Sequence, residues 1–313
     1  IRFRAAIEKG DLAEAQWNKK VENLSGESKN MLNSLLNPDF SKIEFPDFSG
    51  LKVATRDSNG KILNAIANAV PGFLGGSADL AASNKTELKG MGDFPNGKNI
   101  HYGIREHAMA AINNGIARYG LFLPFSATFF IFSDYLKPSA RIAALMGIKH
   151  FFVFTHDSIG VGEDGPTHQP IEQLSTFRAM PNFYTFRPAD GNENAASWQA
   201  ALNLNAPSAF VLSRQGLDPL AKGEFGEVSN GAYLLSSSKE AKITFIASGS
   251  EVSLCVKAAE ILAEQGIGAN IVSAPCFDLL CEQPDEYVSK ILDKNTTIIA
   301  VEAATGYEWY KFA

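Results

Sequence analysis

Short apolar runs alternate with amphipathic stretches along most of the chain. Phe151-Phe-Val-Phe-Thr155 is too short for a helix and rich in strand-forming residues, which predicts a buried strand. Leu121 to Phe130, Phe183 to Arg187 and Ser208 to Leu212 are predicted as further strands. Phe73 to Ser77 is a short one running into a polar turn, and Asn99 to Ile104 another. Between them the spacing predicts helices. Asn59 to Ala69 is one, stopped by Pro71-Gly72. A second starts at Glu106, where Ala108, Ala111, Ile112, Gly115, Ile116 and Tyr119 recur at helical spacing. Ser133 to Met146 and Asn192 to Leu204 are two more, and Pro170 is predicted to open another, since proline suits a first turn. Strands alternating with helices imply an α/β domain with a mainly parallel sheet.

The pattern changes towards the ends. Residues 1 to about 25 are helical in composition and rich in charge, with Ile7, Leu12, Ala15 and Val21 widely spaced. Residues 26–50 bring Ser, Asn, Pro38, Pro46 and Gly50, and are expected to be an exposed connector. Residues 219–238 form a polar linker with some hairpin character. A second α/β pattern follows, with strands at Ile243–Ala247, Asn270–Ala274 and Thr297–Val301 and a helix at Val252–Gln265. It is incomplete at Ala313, and the first residue is Ile1 rather than Met. Both ends are therefore expected to be cuts in a longer protein. The division is 1–50, 51–218, 219–238 and 239–313.

A chain of 313 residues suits two domains. The net charge of -6 offers no basic face, so no nucleic-acid partner is expected. No apolar run is long enough to span a bilayer, and no secretory signal opens the chain, so no membrane partner is expected. The three cysteines, Cys255, Cys276 and Cys281, form no CxxC pair. They are expected to be free thiols of a cytoplasmic protein rather than disulfides or zinc ligands.

Chemistry concentrates in the middle. All five histidines fall between His101 and His168. Glu106 stands at a strand-to-helix turn, a common place for functional groups in α/β proteins, although an acid in a first turn also simply complements the helix dipole. The loop His156 to Pro170 contains Gly160, Gly162 and Gly165 in GxGxxG order, with Asp190 further on. That is a dinucleotide fingerprint by spelling only. Glu163 and Asp164 lie between its glycines and would repel a pyrophosphate. The loop suits a polar rim better: His156, Asp164 and His168 can exchange protons near neutral pH. Phe129, Phe132 and Tyr135, three apart, could offer an aromatic wall to a flat heterocycle, although such clusters usually form core. Arg56 and Arg214 lie in polar turns, and Arg214 at a strand end could clamp a phosphate.

Taken together, the run His156-Asp-Ser-Ile-Gly-Val-Gly-Glu-Asp-Gly-Pro-Thr-His-Gln-Pro170 resembles the transketolase signature. Gly-Ser-Ala-Asp79-Leu, Gly-Ile-Arg-Glu106-His, Arg-Pro-Ala-Asp-Gly191 and Leu-Ser-Arg214-Gln follow the family's order and spacing. The resemblance covers roughly residues 50 to 313. It implies a thiamine diphosphate-binding fold, a three-layer αβα arrangement on a mainly parallel sheet, followed by a truncated second three-layer α/β domain. Residues 51–218 would be the pyrimidine-binding domain and 239–313 part of the C-terminal domain. The implied activity is transfer of a two-carbon ketol unit between sugar phosphates of the pentose phosphate pathway, such as xylulose 5-phosphate and ribose 5-phosphate.

The resemblance also implies roles. Glu106 would hydrogen-bond the cofactor's aminopyrimidine and promote the tautomer that activates the thiazolium carbon. Asp79, Phe129, Phe132 and Tyr135 would line the cofactor. Arg56, Ser83, His156 and Arg214 would bind the sugar phosphate, and Asp164 and His168 its hydroxyls, with His156 and His168 also catalytic. The family's Gly-Asp-Gly…Asn motif for diphosphate and a Mg2+ or Ca2+ ion does not occur in this sequence. The metal and diphosphate are therefore assigned to a missing upstream domain, the cofactor site to a homodimer interface, and inactivity is expected for the chain alone. The alternatives are a dihydroxyacetone synthase, a 2-oxoacid decarboxylase-type enzyme, or a non-catalytic dimerisation fragment in which Ala110, Ala111 and Gly115 permit close helix packing.

Overall fold

The structure, a computed structural model, describes residues 2–313. It begins with two helices, α1 (Arg2–Glu22) and α2 (Gly26–Leu36), neither of which contains a buried residue. The second was not expected. Ser25 caps it by accepting from the Ser28 amide, but its few apolar residues give too weak a period to be legible.

The first α/β unit follows. Its elements are β1 (Val53–Ala54), α3 (Thr55–Ala69), β2 (Phe73–Ser77), α4 (Ala81–Asn84), α5 (Glu106–Tyr119), β3 (Leu123–Phe129) and α6 (Ser133–Met146). Then come β4 (Phe151–Thr155), α7 (Gln173–Arg178), β5 (Tyr184–Phe186), α8 (Gly191–Asn203) and β6 (Ser208–Leu212). Five strands form one parallel sheet in the order β2-β3-β4-β6-β5. Side chains alternate across it. Phe151 and Val153 join Phe73, Phe125, Trp198 and Phe210 beneath α3 and α8. Phe152 and Phe154 join Met109, Ala140, Phe177 and Phe183 beneath α5, α6 and α7. The result is a helix–sheet–helix sandwich, in which each fully buried aromatic contributes about 1.5–3 kcal/mol.

After β7 (Gly216–Leu217), which pairs antiparallel with β1, the chain builds a second sheet. Its elements are β8 (Tyr233–Ser236), β9 (Ala241–Ala247), α9 (Glu251–Glu264), β10 (Gly268–Ser273), α10 (Phe277–Cys281), α11 (Asp285–Ile291) and β11 (Thr297–Val301). The strand order is β11-β9-β10-β8, with β8 antiparallel and the others parallel.

Two expectations fail locally. Asn99 to Ile104 is not a strand; it makes only isolated bridges, Asn99 with Gly75 and Asp93. The Asn99 side chain holds the segment in an irregular course, accepting from the Leu88 amide and donating to the Leu88 and Gly92 carbonyls. Pro170 does not open a helix either. Pro166 opens a 3₁₀ turn (Pro166–His168), and α7 starts only at Gln173, whose side chain takes the Ile171 amide.

Candidate active site

Glu106 is the first residue of α5 and is buried, 8% exposed. Among the described residues its carboxylate has no hydrogen-bond or ion-pair partner. It opens into a recess of ≈ 470 Å³ shared with Asp79, Ile104, Phe132 and Tyr135. Asp79 leaves β2 with φ 61°, a left-handed conformation that costs an ordinary residue about 1–2 kcal/mol. That turn leaves Asp79 exposed beside the recess. Phe129 ends β3 and stacks on Phe132, 5.8 Å between centroids and 10° between planes. Tyr135 continues the row at 6.2 Å from Phe132.

The aromatic row joins this recess to the histidine loop. His156 follows β4 and lies 3.8 Å from the Phe129 ring, and His168 meets Phe132 edge-on at 5.3 Å. His156 also has a positive φ, 60°. Burial, then the Arg56 charge, pushes its imidazole down to about 4, with Arg214 and His168 in the same sense and Asp164 opposing. Arg56, in the first turn of α3, donates to the Ser83 carbonyl at 3.0 Å, and its buried Nε has no partner. Burial lowers its own pKa, and Arg214 adds to this. The structure thus places Glu106, Asp79, Phe132 and Tyr135 on one recess, connects it through Phe129 to His156 and His168, and sets Arg56, with its bond to Ser83, and the Asp164 and Arg214 charges within electrostatic reach of His156.

Three supporting residues had no sequence signal. Ser77 Oγ donates to the Ala127 carbonyl (3.1 Å) and accepts from Asn84 Nδ2 (2.8 Å). Thr155 Oγ1 donates to Asn84 Oδ1 (2.6 Å) and lies 2.9 Å from His156 Nδ1. Their separation in the chain, 71 residues for Asn84 and Thr155, hides the contact from any local pattern.

A larger cavity, ≈ 1040 Å³, lies elsewhere, against α3 and between Lys42, Lys61, Lys85 and Lys89. None of the residues singled out above lines it, and size alone does not give it a function. Among the described residues no group of three His, Cys, Asp or Glu side chains is placed to hold a metal ion. The three cysteines are free.

Comparison with known proteins identifies the family and the fold. Residues 51–219 match the pattern of the transketolase pyrimidine binding domain, and residues 231–313 that of the transketolase-like C-terminal domain. A transketolase of Geobacillus stearothermophilus is 44% identical over 99% of this chain and 49% of its own length. A crystal structure of transketolase from Campylobacter jejuni superimposes with a TM-score of 0.96 at 66% identity, over 100% of this chain and 49% of that one. A Pichia stipitis transketolase complexed with sedoheptulose 7-phosphate superimposes with a TM-score of 0.91 at 38% identity, over 97% of this chain and 48% of that one. The chain spans about half the length of the curated relatives it matches. With the pyrimidine-domain pattern spread over more than half of its residues, the chain belongs to the transketolase family.

Proposed function

We propose that this chain supplies the pyrimidine-side half of a transketolase active site. The full reaction moves a two-carbon ketol group from a ketose phosphate, such as xylulose 5-phosphate, to an aldose phosphate, such as ribose 5-phosphate. The observation that carries the proposal is the buried, unpartnered Glu106 carboxylate beside the stacked Phe129–Phe132 pair. A carboxylate that has no protein partner and faces an open recess is suited to a ligand that brings a hydrogen-bond donor.

An aminopyrimidine fits these residues. Glu106 would share a proton with a ring nitrogen, while Phe129, Phe132 and Tyr135 would pack on the flat ring and exclude water. Asp79 borders the same recess. When bound, thiamine diphosphate supplies a nucleophilic carbon able to carry the two-carbon unit between sugars. Arg56, Ser83, His156 and Arg214 form the phosphate end of the substrate channel. Asp164 and His168 orient the hydroxyls near the reacting carbon. The complex of the Pichia stipitis relative with a sugar phosphate supports this substrate class. The clustered arginines favour phosphosugars over the unphosphorylated substrates of a 2-oxoacid decarboxylase.

The proposal includes the division into a pyrimidine-binding domain (51–218), a linker (219–238) and part of a C-terminal domain (239–313). It also places the diphosphate and a Mg2+ or Ca2+ ion on residues outside this sequence, and the site at a homodimer interface in the cytoplasm. The exposed apolar residues Ile112 on α5 and Tyr135 and Leu145 on α6, with Ile104 just before α5, support the interface. Ala111 and Gly115 are open on the same helix, whereas Ala110 is buried within the chain and takes no part. No described helix is long and apolar enough to cross a membrane.

The test uses the enzyme with both halves of the site present. Glu106→Gln is expected to reduce ketol transfer by about 10²-fold or more while the enzyme stays folded. Near-normal turnover would refute the assignment.

A further inference from the structure

We infer that phosphate binding at this mouth takes up a proton at His156, because a one-way chain of buried hydrogen bonds leaves its Nε2 bare. The inference rests on the reading of Arg56, His156 and Arg214 as the phosphate end.

The direction of the chain is set at its far end. The Ala127 carbonyl can only accept, so Ser77 Oγ, 3.1 Å away, must give it the hydroxyl hydrogen. Ser77 Oγ then has only lone pairs left for Asn84, which must present its amide nitrogen at 2.8 Å. That orientation turns the Asn84 oxygen towards Thr155 Oγ1, whose hydrogen it receives at 2.6 Å. Thr155 Oγ1 is left as an acceptor for His156 Nδ1, at 2.9 Å. Nδ1 therefore carries the hydrogen. The reversed chain would set two acceptors, Ser77 Oγ and the Ala127 carbonyl, against each other at 3.1 Å inside the protein, with no hydrogen between them. Ser77, Asn84, Thr155 and His156 are all buried, so water does not compete for these bonds.

A neutral imidazole with hydrogen on Nδ1 offers only a lone pair at Nε2. A phosphate dianion offers only lone pairs as well. The two can meet only through an added proton, drawn from solvent or already present as the P–OH of a monoanion. In the free chain the charges around His156 resist that proton. Arg56 on α3, Arg214 after β6 and His168 on the 156–170 loop disfavour it, and only Asp164 on that loop favours it. A bound phosphate screens both arginines and reverses the balance. His156 would then sense the protonation state of the ligand as well as its charge.

Two measurements on the 313-residue chain test this. Nitrogen-15 NMR of its histidines without ligand should show His156 protonated at Nδ1 and bare at Nε2; hydrogen on Nε2 instead overturns the inference. Calorimetric titration with ribose 5-phosphate at pH 8, in two buffers of different ionisation enthalpy, should show uptake of about one proton per phosphate bound. Binding without uptake also overturns it. Thr155→Val should mix the two tautomers and reduce the uptake, and Thr155→Ser should restore both readings; a Val variant with the unmixed Nδ1 form would show that the chain of bonds does not set the tautomer. If ribose 5-phosphate fails to bind while the Nδ1 form is present, the phosphate reading fails, and the uptake inference with it. Loss of binding in Arg214→Met supports that reading independently of the tautomer.

Discussion

Arg178 and Arg187 lie inside the chain and are ion-paired with carboxylates, whereas Arg56 and Arg214, among the described residues, are not. Arg187 grips Asp157 through Nε at 3.0 Å and Nη2 at 2.8 Å, and reaches Glu251 and the Ser248 carbonyl through Nη1. Arg178 donates to both oxygens of Glu302, at 2.6 and 2.9 Å, and to Glu308 at 2.5 Å. The arginines come from α7 and the end of β5, in the first α/β unit. Glu251, Glu302 and Glu308 come from the second. Four carboxylates and two guanidiniums thus close the junction between the two sheets. Among the described residues, Arg56 and Arg214 make no ion pair at all. The same side chain holds the fold where its charges are matched, and stays available to a ligand where they are not.

Replacing an arginine in the junction should have the largest effect. Arg187→Met strands Asp157 and Glu251 in the interior, and a loss of about 3–5 kcal/mol is expected in urea unfolding. A loss below about 1 kcal/mol would show that the pairs do not hold the junction.

Glu193 offers an intermediate case, a buried carboxylate in the same junction with no arginine. It accepts from Ser273 (2.5 Å), Tyr233 (3.0 Å) and the Ala189 amide. Burial, followed by the Asp190 charge, raises it to about 7. Burial would raise Glu302 too, but Arg178 overrides it and holds Glu302 at about 2. The signs are opposite. Because the folded value of Glu193 is raised, its contribution is fully present below its ordinary value near 4.5 and is lost as pH climbs through about 7. Glu302 acts the other way: its contribution is present above about 4.5 and lost as pH falls through about 2. Thermal unfolding compared between the protein and Glu193→Gln from pH 5 to 8 should therefore show the protein losing up to about 3 kcal/mol relative to the variant, whatever the buried histidines and Asp278 add in both. An unchanged slope in that variant would remove Glu193 from the account.

The smallest effect is expected at the mouth. Arg214→Met should change stability by no more than about 0.5 kcal/mol, because the side chain is exposed and unpaired. A larger loss would mean that this arginine also holds the fold.

The contrast also separates what the sequence revealed from what it hid. The strands Phe151–Thr155 and Ser208–Leu212 and the helix Ser133–Met146 were legible to the residue, because apolar period and length alone decide them. The position of Glu106 at a helix start was legible for the same reason. Asn99–Ile104 looked like a strand by composition, but one asparagine side chain overrides that preference. Arg178, Arg187 and Glu302 were not legible as interior residues. A charge buried against a distant charge looks, in one dimension, like any surface charge. The link from Ser77 to His156 was hidden likewise, since Ser, Asn and Thr carry no distinctive spacing.

The irregular course of residues 98–100 has a consequence for association. The strand β2 lies at the rim of the five-stranded sheet, where an uncovered edge would present a row of unpaired amides and carbonyls. The Gly75 amide donates to the Lys98 carbonyl at 3.1 Å, and Ile100 returns a bond to the Gly75 carbonyl at 2.8 Å. The approach is so close that a Cβ on Gly76 would sit 1.9 Å from the Ile100 oxygen. At the opposite rim, the β5 side is closed by a bridge from Phe186 to Cys276 and a bond from the Arg187 amide to Pro275. Both rims are sealed by the chain itself, so a second molecule cannot extend this sheet by adding a strand. Strand addition, the simplest route to open-ended stacking, therefore finds no template on this sheet.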